Sequence, residues 1–153
     1  MAFRFTLSRG MVKGIVDAGV KGALITTGES LVVKIRNSMN PGMYRKYKFK
    51  GGTHYSSMPG TPPAPWTRRL SDSITYATSF GSKSSPGPSA RATDGINSPI
   101  GDDTVMVLSV GSNVEYALSM ERGLKSKKVS PRPYLWPALS GSRELIKKSF
   151  VRV

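Results

Sequence analysis

The side chains able to do chemistry in this chain are mostly cationic. Lys and Arg number 23 against 9 Asp and Glu in 153 residues, a formal net charge of +14. Such an excess points to an anionic partner: nucleic acid, a membrane surface or acidic protein rings. The cations fall in runs. From Lys34 to Lys50 there are six basic residues (Lys34, Arg36, Arg45, Lys46, Lys48 and Lys50) and no acid. Tyr44, Tyr47 and Phe49 are interleaved with them. Basic and aromatic side chains together can pair phosphates and stack bases. The same run also reads as a solvated loop or edge strand whose aromatics tuck into a core. Arg68 and Arg69 follow a proline-rich stretch, and Lys125, Lys127, Lys128 and Arg132 crowd a later loop. With Arg45, Lys46, Lys48 and Lys50, these are the candidate interaction residues.

Catalytic constellations are absent from the pattern. His54 is the single histidine and there is no cysteine. Thiolate metal sites and disulfides are therefore excluded, and no carboxylate lies near His54 in sequence to complete a metal site. His54 reads as a polar loop residue. Asp102 and Asp103 are adjacent and read as an exposed turn, since a divalent-ion site wants more convergent ligands. Glu115 and Glu121 are not spaced to share one helical face. No phosphate-binding glycine loop and no nucleophile elbow occurs. The expectation is a protein that is not an enzyme and holds no cofactor or metal. The start, MAFRFTLSRGMVKG, lacks the apolar region of a signal peptide, and no apolar run is long enough to span a bilayer. A soluble protein made in a cytoplasm, with no membrane partner, is expected.

The length suits one domain, 1–153, with a modest core. Helix is expected from about Ser8 to Met39, with Ser8 as its cap. Val20, Leu24, Thr27, Leu31 and Ile35 recur at spacings of three and four, and Asn40-Pro41-Gly42 stops the run. Gly14, Gly19, Gly22 and Gly28 weaken that helix, and a break is expected near Thr26-Thr27-Gly28. A basic and proline-rich strap covers 40–66. Its SMPGTPPAPW segment, Ser57 to Trp66, is too rich in proline for helix or inner strand. Leu70 to Phe80 reads as a strand, and so does Thr104 to Val110, which is apolar on both faces and so central in its sheet. Between them, 81–103 reads as a long flexible loop or arm. Asn113 to Arg122 reads as a short helix ended by Gly123. A last helix starts with Pro137 in its first turn and turns Leu135, Leu139, Ile146 and Phe150 to the core.

Two blocks carry a family resemblance. In the first, Ser57, Pro59, Gly60, Pro62 and Pro63 lead to Thr67, Leu70, Ser73 and Ile74. In the second, Val110, Gly111, Tyr116, Ala117, Glu121 and Gly123 are followed by Arg132, Pro133, Tyr134, Leu135, Pro137 and Ala138. In this order the blocks resemble head-tail connector proteins of tailed bacteriophages, also called neck or tail-completion proteins, of the type of gene product ten of phage HK ninety-seven. Arg68 stands where that family usually has glycine, and the 81–103 connection is longer than usual. The resemblance implies an α+β fold: a small, mostly antiparallel sheet, with a long N-terminal helix and a C-terminal helix packed on it. It further implies a structural virion protein, a homo-oligomeric ring of about six copies (about twelve in the other arrangement), closed by head-to-tail contacts. Its neighbours would be neck, portal-side and tail-tube proteins, with packaged DNA in the channel. It would act in the virion neck or upper tail after assembly in the host cytoplasm. The alternatives are a tail terminator or minor tail protein and, in a different class, a basic nucleic-acid-binding protein.

Overall fold

The computed structural model describes residues 2–8, 15–39, 44–64, 68–97 and 105–151. The fold is α+β. Its centre is β5 (Val105–Gly111), the stretch with apolar residues on both faces. It lies between β1 (Ala2–Ser8) and β4 (Thr75–Thr78), antiparallel to each. Met106, Val107, Leu108, Ser109 and Val110 of β5 are all buried, as its central position requires. Ser8, expected to cap the first helix, instead closes β1 opposite Val105. The alternation of Phe3, Phe5 and Leu7 is a strand period, and pairing with β5 satisfies one edge of its backbone.

The long helix α1 (Ile15–Ser38) lies across this sheet. Its buried stripe is Val20, Ala23, Leu24, Thr27, Leu31, Val32 and Ile35, continuing to Met39. Burial of one such Leu or Ile side chain contributes roughly 1.5–3 kcal/mol. The helix runs unbroken through Thr26-Thr27-Gly28, contrary to the expected break. Packing explains this. A Cβ on Gly28 would lie 2.8 Å from Tyr76 Cγ and 3.0 Å from Leu108 Cδ1, so the missing side chain lets α1 settle on β4 and β5. A Cβ on Gly22 would meet nothing within 4 Å. The two glycines therefore predict opposite results. Gly22→Ala should stabilise the protein by about 0.5–1 kcal/mol through helix propensity. Gly28→Ala should destabilise it by about 1–3 kcal/mol through overpacking. Thermal melting of both variants checks the signs.

The remaining elements close the core from the sides. Leu70 to Phe80 is not one strand: α2 (Arg69–Ser73) precedes β4, and Ile74 between them is fully buried. Ser73 Oγ lies 2.6 Å from Ser112 Oγ inside the core. Of the 81–103 segment expected as a flexible loop or arm, 98–103 lie outside the described residues, and Gly81 to Asn97 is fastened to the fold. Thr78 N donates to Ser82 O and Ser84 N to Tyr76 O, which covers the outer edge of β4. Gly87 N and Ser89 N donate to the carbonyl and carboxylate of Asp72. A 3₁₀ turn, Ala92–Asp94, then buries Asp94 and Ile96. Asp102 and Asp103 lie outside the described residues.

After β5 come α3 (Ala117–Arg122), α4 (Leu135–Ser140) and α5 (Arg143–Val151). The single last helix expected is thus two, broken at Gly141-Ser142. Lys34 Nζ fills the break, donating to Gly141 O at 2.6 Å and Ser142 Oγ at 2.8 Å. Leu135 and Leu139 reach the core, while Ile146 is half-buried and Phe150 packs on the core edge. A separate two-stranded hairpin, β2 (Tyr44–Phe49) with β3 (Gly52–Ser57), completes the fold. His54 lies on β3 rather than in a loop.

Candidate interaction surface

The cations of the sequence divide by what they touch. In the 34–50 run, Lys34 and Arg36 reach across to other elements of the fold. Lys34 binds the α4 carboxyl end, and Arg36 Nη2 donates to Asp72 O at 3.2 Å and Ile74 O at 2.8 Å, where α2 ends. The other four, Arg45, Lys46, Lys48 and Lys50, lie on β2 and its turn. Lys48 and Lys50 are exposed. Lys50 and Gly51 have φ of 48° and 78°, the paired left-handed residues of a two-residue hairpin turn whose twist suits the strands.

Arg69, another of the candidate interaction residues, is paired within the fold. Its Nε donates to Asp94 Oδ2 at 2.8 Å and its Nη2 to Asp94 Oδ1 at 2.9 Å. Its Nη1 and Nη2 also reach Glu115 at 3.0 Å each, and the guanidinium sits 6.0 Å from the Tyr116 ring centre. Two carboxylates from distant loops thus converge on one guanidinium, a pairing invisible in the linear order. Hydrogen bonding from Arg69, then the backbone N–H of Arg91, holds the Asp94 carboxyl down at about 2, from 3.8. A depressed carboxyl contributes stability above its unfolded value and loses it as the pH falls through the folded one. Melting temperature should therefore drop between pH 4 and 2 more steeply in the wild type than in Asp94→Asn. Parallel curves would contradict the pairing. Arg68, next to it, is exposed with φ 56°.

The proline strap and the basic loop form one unit. Gly60 N donates to Pro131 O at 2.9 Å, and the Arg132 guanidinium reaches Ser57 O at 3.4 Å. Pro63 is buried, whereas Met58, Pro59 and Gly60 face solvent. Lys125, Lys127 and Lys128 are all exposed, on a 3₁₀ turn held closed by pairing of Leu124 with Val129. Arg132 N donates to Met120 O at 2.7 Å, which anchors the far end of the loop. Gly123 allows the turn from α3: its φ is +74°, and a Cβ there would lie 2.7 Å from Val129 O.

Beyond that loop lies a feature that charge spacing does not reveal. Glu121 is 6% exposed. Its Oε2 accepts from Tyr134 N (2.8 Å) and Leu135 N (3.0 Å), and its Oε1 from Trp136 N (2.9 Å). One buried carboxylate therefore satisfies the first amides of α4. Glu115, by contrast, faces Arg69, so the two glutamates serve different elements. Tyr134 is fully buried and donates its hydroxyl to Ala117 O, and burial pushes that hydroxyl's pKa up. Trp136, two residues on, is 60% exposed. Val33, Leu118 and Leu145 are also exposed large apolar side chains. Between α1 and α5, Ala23, Thr26, Leu145, Lys148 and Ser149 line an open groove of about 560 Å³.

No group of three or more metal-ligating side chains occurs among the described residues, and no described helix is long and apolar enough to cross a membrane. Compared with family models, curated proteins and solved structures, the chain matches none.

Proposed function

We propose that this chain is a structural subunit of a ring in the neck of a tailed bacteriophage, where it joins or completes the connection between head and tail. The observation that carries the reading is Trp136. It lies inside the Arg-Pro-aromatic-Leu block that resembles the connector proteins, on a helix pinned by Glu121, yet it is 60% exposed. A rigidly mounted, solvent-facing tryptophan is the kind of anchor that dominates protein–protein interfaces. The α+β architecture agrees with what the resemblance implies, though a fold alone does not carry a function. The proline strap clamped on the basic loop adds a stiff surface suited to head-to-tail contacts between copies. A tail terminator or minor tail protein would use the same surfaces at another level of the tail.

Electron microscopy of particles assembled without the chain tests the proposal. Tailless heads and free tails are expected. Normal particles, together with a purified chain that never forms rings, would refute it.

A further inference from the structure

The β2–β3 hairpin pairs with no other described strand. Beyond the Arg132 contact to Ser57 O at its end, it makes no extended packing with any described helix or with the three-stranded sheet. A ribbon of two strands is marginal in water on its own, so a partner is the natural source of its order. The cations of the ribbon lie on one strand and the turn, and none is on β3. Arg45, Lys46 and Lys48 lie along β2, Lys50 forms the turn, and no acid occurs between Glu29 and Asp72.

A second copy of this chain is a poor match for that charge. Each copy carries a net charge of +14, and five of its nine acids are engaged within the fold: Asp94 and Glu115 with Arg69, Glu121 with the α4 amides, Asp72 with Ser89 N, and Glu144 with Lys147. A continuous polyanion suits the ribbon better. The DNA major groove, about 12 Å wide, admits a two-stranded ribbon, and lysines along it would displace condensed counterions from the phosphates. We infer that the β2–β3 hairpin binds double-stranded DNA, seated as a cationic ribbon against the phosphate backbone. The inference stands apart from the neck-ring reading, because it concerns the hairpin of each copy.

The test is fluorescence anisotropy of a short mixed-sequence duplex with the full chain across a salt series. Four phosphate contacts would weaken binding on the order of a hundredfold between roughly 50 and 200 mM salt. The triple variant Lys46→Gln, Lys48→Gln, Lys50→Gln should flatten the salt slope by about 0.9 for each charge removed. A loop variant with Lys125, Lys127 and Lys128 changed to Gln should keep the slope. Should the hairpin triple fail to fold, Lys48→Gln alone, at an exposed position, gives the same reading for one charge. Three results would overturn the inference: an unchanged slope in the hairpin variants, an equal loss in the loop variant, or displacement of the duplex by polyglutamate at equal charge concentration. Rings are scored separately by microscopy. Rings without duplex binding sink this inference alone, and duplex binding without rings sinks only the neck reading.

Discussion

Glu121→Ala lowers stability by about 3–5 kcal/mol, a large part of the roughly 5–15 kcal/mol available to a domain. The carboxylate accepts three backbone N–H groups from Tyr134, Leu135 and Trp136. Hydrogen bonds to a charged acceptor contribute about 1.5–3 kcal/mol each, and a buried donor left unpaired costs about 1–3 kcal/mol. Those terms are not additive, since the opened site admits some water. Tyr134 N and Leu135 N are buried, however, and have little access to it. Glu121→Gln should fall between wild type and Ala. Its amide keeps one acceptor oxygen and sets an NH₂ group against a backbone donor. Urea unfolding of the three proteins gives the order. A loss below about 1 kcal/mol for the Ala variant would show that α4 starts without the carboxylate.

The second large effect separates two aromatic neighbours. Tyr134→Ala should cost about 3–5 kcal/mol, the range of a large aromatic truncation in a core. Trp136→Ala should change monomer stability by no more than about 0.5 kcal/mol, as surface substitutions do. The difference follows from exposure: Tyr134 is 0% accessible and Trp136 60%. The assembly measurement runs the other way. Trp136→Ala should abolish ring formation while the melting curve stays in place. Intact rings in that variant would remove the tryptophan from the interface, and with it the main support for the ring reading.

The Tyr134 and Trp136 pair also shows where sequence reasoning reaches its end. Both are aromatic, both belong to the same short block, and either could fill a core. Which one points inward depends on how α4 is rotated, and that rotation follows from Glu121 gripping three successive amides. Nothing in the linear order links Glu121 to Trp136, because the contact closes a loop through the basic residues 125–132. Arg69 is a similar case. In sequence it is one more cation beside Arg68; in space it is neutralised by Asp94 and Glu115 from two other segments.

What the sequence determined by itself is the central elements of the fold. Periodicity three and four marked the long helix, and an apolar run marked the central strand. Both follow from local repeat and burial, which the order of residue types encodes directly. The absence of cysteine and the single histidine bounded its chemistry, and the surplus of cations defined the kind of partner to seek. Only the tertiary structure decided which cations remain at the surface. It placed Lys34 and Arg36 on helix ends and Arg69 in an ion pair, and left Lys48, Lys50, Lys125, Lys127 and Lys128 exposed. It also changed the role of glycine in α1, from a weakness of the helix at Gly22 to the point of closest approach at Gly28. The physical reason is common to all of these. Propensity and pattern act between residues near in sequence, whereas the pairing of a charge or the space for a Cβ is set by segments that meet only once the chain has folded.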